Sequence, residues 1–183
     1  MFSNKALKKL ILPLIIEQIL IMAVGVADTV MVSYAGEVAI SGVGLVDMFN
    51  NLIITVLAAI DAGGAIIVSQ YIGNKDRKNA NKASSQLLTI TIVIATVIML
   101  GCLVFHRILL STFFGAIEMD VMKAATTYFL ISAISFPFLG VYNSAAALYR
   151  SMEKTRTTMY VSILMNIINV VGNYIGVFIY MLE

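Results

Sequence analysis

Four carboxylic acids lie within long apolar stretches of the sequence, at Glu17, Asp28, Asp47 and Asp61. An ionised side chain inside a membrane costs at least about 2.5 kcal/mol on insertion scales, and it marks a functional site by default. No lysine or arginine lies deep in the same stretches to neutralise these acids. A buried carboxylate in that setting tends to bind a cation or to take up a proton. The sequence therefore predicts the chemistry of an ion or proton relay.

A second polar pattern lies in the last apolar stretch. It comprises Ser162, Asn166, Asn169 and Asn173, which follow one another at intervals of four, three and four residues. This spacing places the four side chains on one stripe of an α-helix. Asparagine is too polar to face lipid, so the stripe is expected to face protein or a water-filled cavity. The alternative is an asparagine ladder that only joins helices.

The first and fifth apolar stretches carry polar groups at similar depths. At the helical rise, Asp28 lies about 9 Å from the middle of its helix and Asn173 about 6 Å from the middle of its own, both toward the outside. The two helices can therefore close one polar site in the outer half of the membrane. Glu17 shares the helix face of Asp28, and two interpretations stay open for it. It is either a functional carboxylate or an inner-end carboxylate bonded to helix ends or basic loops.

The second apolar stretch has one face of polar and small residues, no more than about 80° wide. Its members are Asp47, Asn50, Asn51, Ala58, Asp61, Ala65 and Ser69. Such a face predicts a cavity wall. Asp47 lies near the outer end of the stretch, where simple solvation is the alternative to a place in the cavity.

The composition fixes what kind of element must carry these residues. Of the 183 residues, 60% are hydrophobic and 12% charged, with a mean hydropathy of +0.95. Soluble domains are about 45–50% apolar and about 25% charged. The composition therefore excludes a soluble enzyme, a nucleic-acid-binding domain and a disordered chain. The single cysteine, Cys102, excludes an internal disulfide and a cysteine-rich metal cluster. Since the chain also lacks HExxH, phosphate-loop and Ser/His/Asp patterns, we expect no catalysis and no cofactor.

Five segments are long and apolar enough to cross a membrane as helices. They comprise residues 10–34, 42–71, 86–106, 121–148 and 157–181, with short connections. The sequence thus predicts an all-α integral membrane protein with five transmembrane helices, in which residues 1–183 form a single helical domain. Ten of the twelve basic residues fall on one side of this arrangement, the exceptions being Arg107 and Lys123. The positive-inside rule then predicts a cytoplasmic N-terminus, with Glu183 outside the cell inner membrane.

The order of several short motifs resembles the N-terminal part of the multidrug and toxic compound extrusion (MATE) family. The motifs are PLIIEQ at 13–18, VADTVMV at 26–32, VGL at 43–45, SQYIG at 69–73, YRSMEKTRT at 149–157 and NIIN at 166–169. Each is weak alone, but their order and spacing together are specific. The resemblance covers nearly the whole chain.

This resemblance implies a secondary antiporter that exports small organic compounds, often cationic, by alternating access driven by Na⁺ or H⁺. In family members with a cation site in the N-lobe, the ligands include an aspartate of the first helix, and an asparagine and an aspartate four residues apart in the fifth. The matching positions are Asp28, Asn169 and Asn173, so a proton or Na⁺ site is implied there. Asn173 departs from the pattern, because it replaces a carboxylate with an amide.

The resemblance also implies about twelve helices in two six-helix lobes. Five helices therefore correspond to an incomplete six-helix lobe, and we expect this chain to be a fragment that needs the C-terminal lobe or another chain for transport. Two other functions stay open. One is a non-transporting membrane scaffold or assembly subunit. The other is a lipid-precursor flippase of a related superfamily, which would need a cationic cavity for polyprenyl phosphates.

Overall fold

The computed structural model of the chain describes residues 4–115 and 117–178, which form five helices and no strands. The helices are α1 (Asn4–Ser33), α2 (Glu37–Gly73), α3 (Arg77–Phe114), α4 (Met119–Ser151) and α5 (Thr155–Phe178). All five are long and apolar enough to cross a membrane. The prediction of five transmembrane helices is thus confirmed, although the predicted end of the fifth, at residue 181, lies outside the described residues.

The polar link predicted between the second and third helices is mostly helical, because α3 begins at Arg77 rather than at residue 86. Asp76 caps its N-terminus by accepting hydrogen bonds from the backbone N–H of Asn79 at 3.1 Å and from Asn79 Nδ2 at 2.7 Å. The first bond satisfies a backbone donor at the start of the helix, a feature that the spacing of apolar residues does not predict. Both bonds hold the pKa of the Asp76 carboxyl below its usual value.

A residue with positive φ stands in each of the four connections between helices. Gly36 has φ +97° and Gly115 +62°, whereas the other two connections use Lys75 at 59° and Glu153 at 60°. A residue in the left-handed backbone conformation after a helix lets the chain reverse direction within a few residues. Tight turns of this kind keep all five helices joined by short segments.

The chain forms two compact units, and the larger one comprises Ser41 to Met152. We call it the α2–α4 unit, because it holds most of α2 together with α3 and α4. Its core is aliphatic and aromatic and includes Val46, Leu57, Phe129 and Phe136. Phe49 stands edge-on to Phe129, with ring centroids 5.1 Å apart. Interdigitating apolar side chains therefore hold this unit together.

The second unit is formed by the residues up to Ile40 and those from Glu153 onward. We call it the α1–α5 unit, because α1 packs along α5. Its buried residues are mostly polar: Pro13, Glu17, Thr155, Thr158 and Ser162. In hydrocarbon, polar contacts between helices replace the hydrophobic effect as a source of association.

Candidate functional site

The α1–α5 unit brings together the polar groups predicted to meet at the outer depth. Asn173 Nδ2 of α5 donates a hydrogen bond to Asp28 Oδ1 of α1 at 2.6 Å. The same nitrogen donates to Asn169 Oδ1, one helical turn away, at 3.2 Å. The expectation that Asp28 and Asn173 lie side by side is therefore confirmed. Their role as an ion site stays a prediction.

The chemistry of this group follows from its oxygen atoms. Asp28 and Asn173 are half-buried and Asn169 is exposed, so the carboxylate can be reached. One carboxylate and two amide carbonyls are hard ligands of the kind that alkali and alkaline-earth cations prefer. Within residues 4–115 and 117–178, no three His, Cys, Asp or Glu side chains form a metal-binding group. The site therefore relies on the single charge of Asp28, which can also take up a proton.

The other end of the α1–α5 contact is occupied by Glu17. Only 6% of this residue is exposed, and Glu17 Oε2 accepts a hydrogen bond from Thr158 Oγ1 at 3.1 Å. Thr158 lies in the first turn of α5, so Glu17 is bonded near a helix end, which matches one of its two interpretations. On the same α5 stripe, Ser162 is buried. Asn166 is half-buried, and its Nδ2 has no hydrogen-bond partner among the described residues.

In the α2–α4 unit, the polar face of α2 does not form one continuous site. Asp47 is half-buried and accepts a hydrogen bond from Tyr128 Oη of α4 at 3.0 Å, so it is not simply solvated. Asn51 is exposed, and Asn50 Oδ1 is buried with no partner among the described residues. The lower part of the face does line a cavity, at Ala58, Asp61, Ala65 and Ser69. The predicted cavity wall is therefore confirmed only from Ala58 onward.

Asp61 is the buried acid of this cavity. It is 2% exposed, and Asp61 Oδ1 accepts a hydrogen bond from Thr91 Oγ1 of α3 at 2.8 Å. Asn143 and Arg150 of α4 line the same cavity, which has a volume of about 360 Å³. The sequence predicted no lysine or arginine deep in a span to pair with the acids, and Arg150 was assigned to a loop. The structure places Arg150 at the end of α4, which continues to Ser151, so that a basic residue lines the cavity of Asp61.

Sequence reasoning missed the hydrogen-bond partners of the acids, which are Thr91, Tyr128 and Thr158. It also missed two residues that share the cavity of Asp61, Asn143 and Arg150. Four of these five residues are uncharged, and a single threonine or tyrosine in an apolar helix is common. Asn143 gave the best available signal, because an asparagine within an apolar helix is expected to face protein or water. The identity of the other residues depends on how one helix is aligned against another. This alignment produces no periodic pattern in the sequence.

Comparisons with known proteins agree over almost the whole chain. A sequence profile for the family described as MatE matches residues 13–175. The uncharacterized transporter YisQ of Bacillus subtilis (strain 168) is 28% identical over 187 residues, which cover 97% of this chain and 41% of that protein. A probable multidrug resistance protein NorM of Thermotoga maritima is 29% identical over 178 residues, which cover 96% of this chain and 37% of that protein.

A solved structure shares the fold. A MOP superfamily transporter from Pyrococcus furiosus superimposes with a TM-score of 0.89 at 22% identity, over 98% of this chain and 39% of that chain. The likeness confirms the all-α membrane fold. This chain spans about two fifths of the length of the relatives it matches.

Proposed function

Because this chain belongs to the MatE family, a family of transporters and not of enzymes, we propose that it is the N-terminal part of a secondary active antiporter. The whole protein exports small organic compounds, often cationic, by alternating access. Export is coupled to the inward movement of H⁺ or Na⁺. The family membership itself confirms the resemblance found in the sequence motifs.

The observation that carries this proposal is the contact of Asp28 with Asn173, supported by Asn169. The 2.6 Å hydrogen bond joins α1 to α5 through the only carboxylate of the group. A proton or Na⁺ bound at Asp28 cancels the charge that the Asn173 amide now contacts, and Na⁺ also draws the amide oxygens toward itself. Occupancy of Asp28 therefore changes the contact between the two helices, which is what ion coupling requires.

The setting of the site follows from the same proposal. Residues 1–183 act as one helical domain of the cytoplasmic membrane, with the N-terminus in the cytoplasm and the far end of α5 outside. Asp28 then opens toward the outer half of the membrane, where the driving ion enters. Glu17, Asp47, Asn50, Asn51, Asp61 and Asn166 are candidates for the lining of the transport path. A C-terminal lobe or another chain completes that path.

The test is Asp28→Asn in a whole transporter that contains this chain. Asparagine has the same shape and still accepts a hydrogen bond from Asn173, so we expect normal membrane levels. Ion-driven efflux from vesicles should fall to background under both an imposed pH gradient and an imposed Na⁺ gradient. The gradient that drives the unmodified protein identifies the ion.

The matched control is Asp120→Asn, the same chemical change at an exposed residue in the first turn of α4. It should export at the normal rate. Undiminished efflux by Asp28→Asn would refute the proposed coupling role.

A further inference from the structure

A second cavity of the α2–α4 unit lies between the end of α3 and the start of α4, and it has a volume of about 410 Å³. Arg107 lines it from α3, together with Leu110 and Ser111, and Lys123 lines it from α4, together with Thr126. Arg107 and Lys123 are the two basic residues that the sequence places on the side of the membrane opposite the other ten. The fold therefore brings both exceptions to the positive-inside pattern to one cavity.

The two positive charges of this cavity are not neutralised by the chain. Within residues 4–115 and 117–178, neither the Arg107 nor the Lys123 side chain forms an ion pair or a hydrogen bond. The acids of the same connection, Glu118 and Asp120, are exposed and do not line the cavity. Two unpaired cations on facing helices create a local positive potential, which attracts an anion.

The hydroxyl groups of the cavity leave the binding of an anion to these two cations. Ser111, Thr126 and Thr127 each donate their hydroxyl hydrogen to a carbonyl oxygen of their own helix, at 2.7–3.1 Å. Since a hydroxyl has a single hydrogen to donate, these groups are already committed. The free donors are the guanidinium of Arg107 and the ammonium of Lys123, and both form charge-assisted hydrogen bonds with phosphate oxygens.

An apolar stripe on α3 leads from the cavity toward the middle of the helix. Arg107 is preceded, at intervals of three, four, three and four residues, by Val104, Leu100, Val97 and Val93. This spacing keeps the stripe within about 80° of the helix surface, on the face of Arg107. All four apolar side chains are more than half exposed. The stripe is about 16 Å long, close to half of the roughly 30 Å hydrocarbon thickness of a bilayer.

We infer that this cavity binds the phosphate of an anionic phospholipid, through Arg107 and Lys123, while an acyl chain of the lipid lies along the stripe from Val104 to Val93. A soluble phosphate would use the two cations but not the stripe, so the stripe favours the lipid. Under the topology proposed above, the lipid belongs to the outer leaflet. The site lies in a different unit from Asp28, and lipid binding is measurable without any ion gradient.

The experiment uses the absence of tryptophan from the sequence. Ile108→Trp places one fluorescent indole at an exposed position next to Arg107. The purified chain is reconstituted in phosphatidylcholine vesicles that contain increasing fractions of acyl-brominated phosphatidylglycerol or acyl-brominated phosphatidylcholine, because bromine quenches an indole that it contacts. We expect phosphatidylglycerol to be preferred at least about fivefold, the effect of one basic side chain near a charged membrane surface. Equal quenching by the two lipids would overturn the inference.

Added inorganic phosphate separates a lipid site from a site for a soluble anion. At constant ionic strength, an excess of phosphate should leave the quenching by brominated phosphatidylglycerol unchanged, because phosphate has no acyl chain to occupy the stripe. Loss of that quenching would mean that the cavity is a site for soluble phosphate and would overturn the assignment to a lipid.

Charge variants, each combined with Ile108→Trp, test the two cations. Arg107→Gln and Lys123→Gln should each lower the preference for phosphatidylglycerol about threefold to fivefold. Quenching by brominated phosphatidylcholine should stay the same, which shows that α3 still lies in the bilayer. Lys82→Gln is the control, because it removes the same charge at an exposed position near the start of α3. An equal loss in Lys82→Gln, or no loss in Arg107→Gln, would contradict binding at this site.

A last pair of variants separates the cavity from a diffuse positive surface. Ser111→Leu keeps both cations and fills the cavity, so the preference for phosphatidylglycerol should fall to near that of phosphatidylcholine. Thr112→Leu makes a similar change at the next residue, which is also exposed but does not line the cavity, and should have no effect. If Ser111→Leu retains the full preference, the lipid is not bound in this cavity.

Discussion

The two units of the chain bury opposite kinds of side chain. In the α2–α4 unit the buried residues are mainly aliphatic and aromatic, with Asp61 and Thr91 among the few polar ones. In the α1–α5 unit the buried residues of the described chain are Pro13 and four polar groups, Glu17, Thr155, Thr158 and Ser162. Apolar packing between helices is insensitive to charge, whereas a polar contact changes when one partner gains a proton or a cation. We therefore propose that the α1–α5 unit, here called the responsive unit, changes on ion binding, and that the α2–α4 unit, here called the scaffold, stays rigid.

Asp28 and Asp61 differ in the same way as the units that contain them. Asp28 is half-buried and is held by an amide that can turn to present its oxygen instead. Asp61 is almost fully buried, and its one described partner is a hydroxyl of a tightly packed helix. An accessible carboxylate with an adaptable partner suits an ion that binds and leaves. An almost fully buried carboxylate bonded to a packed helix is much less accessible to such an ion.

Gly42→Leu is expected to have the largest effect on stability, and it tests the rigidity of the scaffold. A Cβ at Gly42 would lie 2.9 Å from the backbone nitrogen of Ala125, so α2 and α4 would have to separate. We expect the free energy of unfolding to fall by about 3 kcal/mol, at the upper end for overpacked cores. The measurement is the midpoint of thermal unfolding in detergent, followed by circular dichroism.

Gly44→Leu is the control for this change, because nothing lies within 4 Å of a Cβ at Gly44. A leucine there should be neutral or slightly stabilising, since leucine favours the helix more than glycine does. If Gly42→Leu unfolds at the same temperature as Gly44→Leu, the α2–α4 unit is not a rigid scaffold.

A smaller effect is expected from Thr91→Val, which keeps the shape of the side chain and removes the hydroxyl. Asp61 then loses the one donor it has among the described residues, and we expect a cost of about 2 kcal/mol in the free energy of unfolding. Thr89→Val is the matched control on the same helix, because the exposed Thr89 hydroxyl donates only to the Ser85 carbonyl of its own helix. Equal stability of the two variants would mean that Asp61 does not depend on Thr91.

The parts of the fold that depend on local composition were predictable from the sequence. Apolar runs of sufficient length identified five membrane helices, and depth along a helix of fixed rise correctly paired Asp28 with Asn173. Both inferences use distances along one helix axis, which the sequence reports directly. Helix ends were less predictable. The start of α3 depends on the cap at Asp76, and α4 continues past Leu148 until the turn at Glu153.

The cavity at Asp61 was only half predictable for a related reason. The polar face of α2 was visible in the sequence, but the residues opposite it depend on how the helices are set against one another. That register is fixed by close approaches such as Gly64 against Leu87 and Gly140 against Thr91. These contacts join residues far apart in the chain, so no spacing rule selects Thr91, Asn143 or Arg150 as neighbours of Asp61.

The smallest expected effect concerns one exposed turn residue in each unit, Lys75 in α2–α4 and Glu153 in α1–α5. Both have φ near +60°, a conformation that strains side chains with a Cβ and suits glycine. Lys75→Gly and Glu153→Gly should each stabilise the chain by about 0.5–1 kcal/mol and raise the unfolding midpoint by about 2–4 °C at most.

The controls are Lys78→Gly and Arg156→Gly, two exposed positions in the first turns of α3 and α5, at which glycine relieves no strain and should cost up to about 0.5 kcal/mol. Because strain at a turn is local, the gain should be similar in the two units despite their different cores. If Lys75→Gly stabilises the chain and Glu153→Gly does not, the backbone of the α1–α5 unit is not strained at Glu153. The contrast between scaffold and responsive unit would then extend from the buried side chains to the backbone.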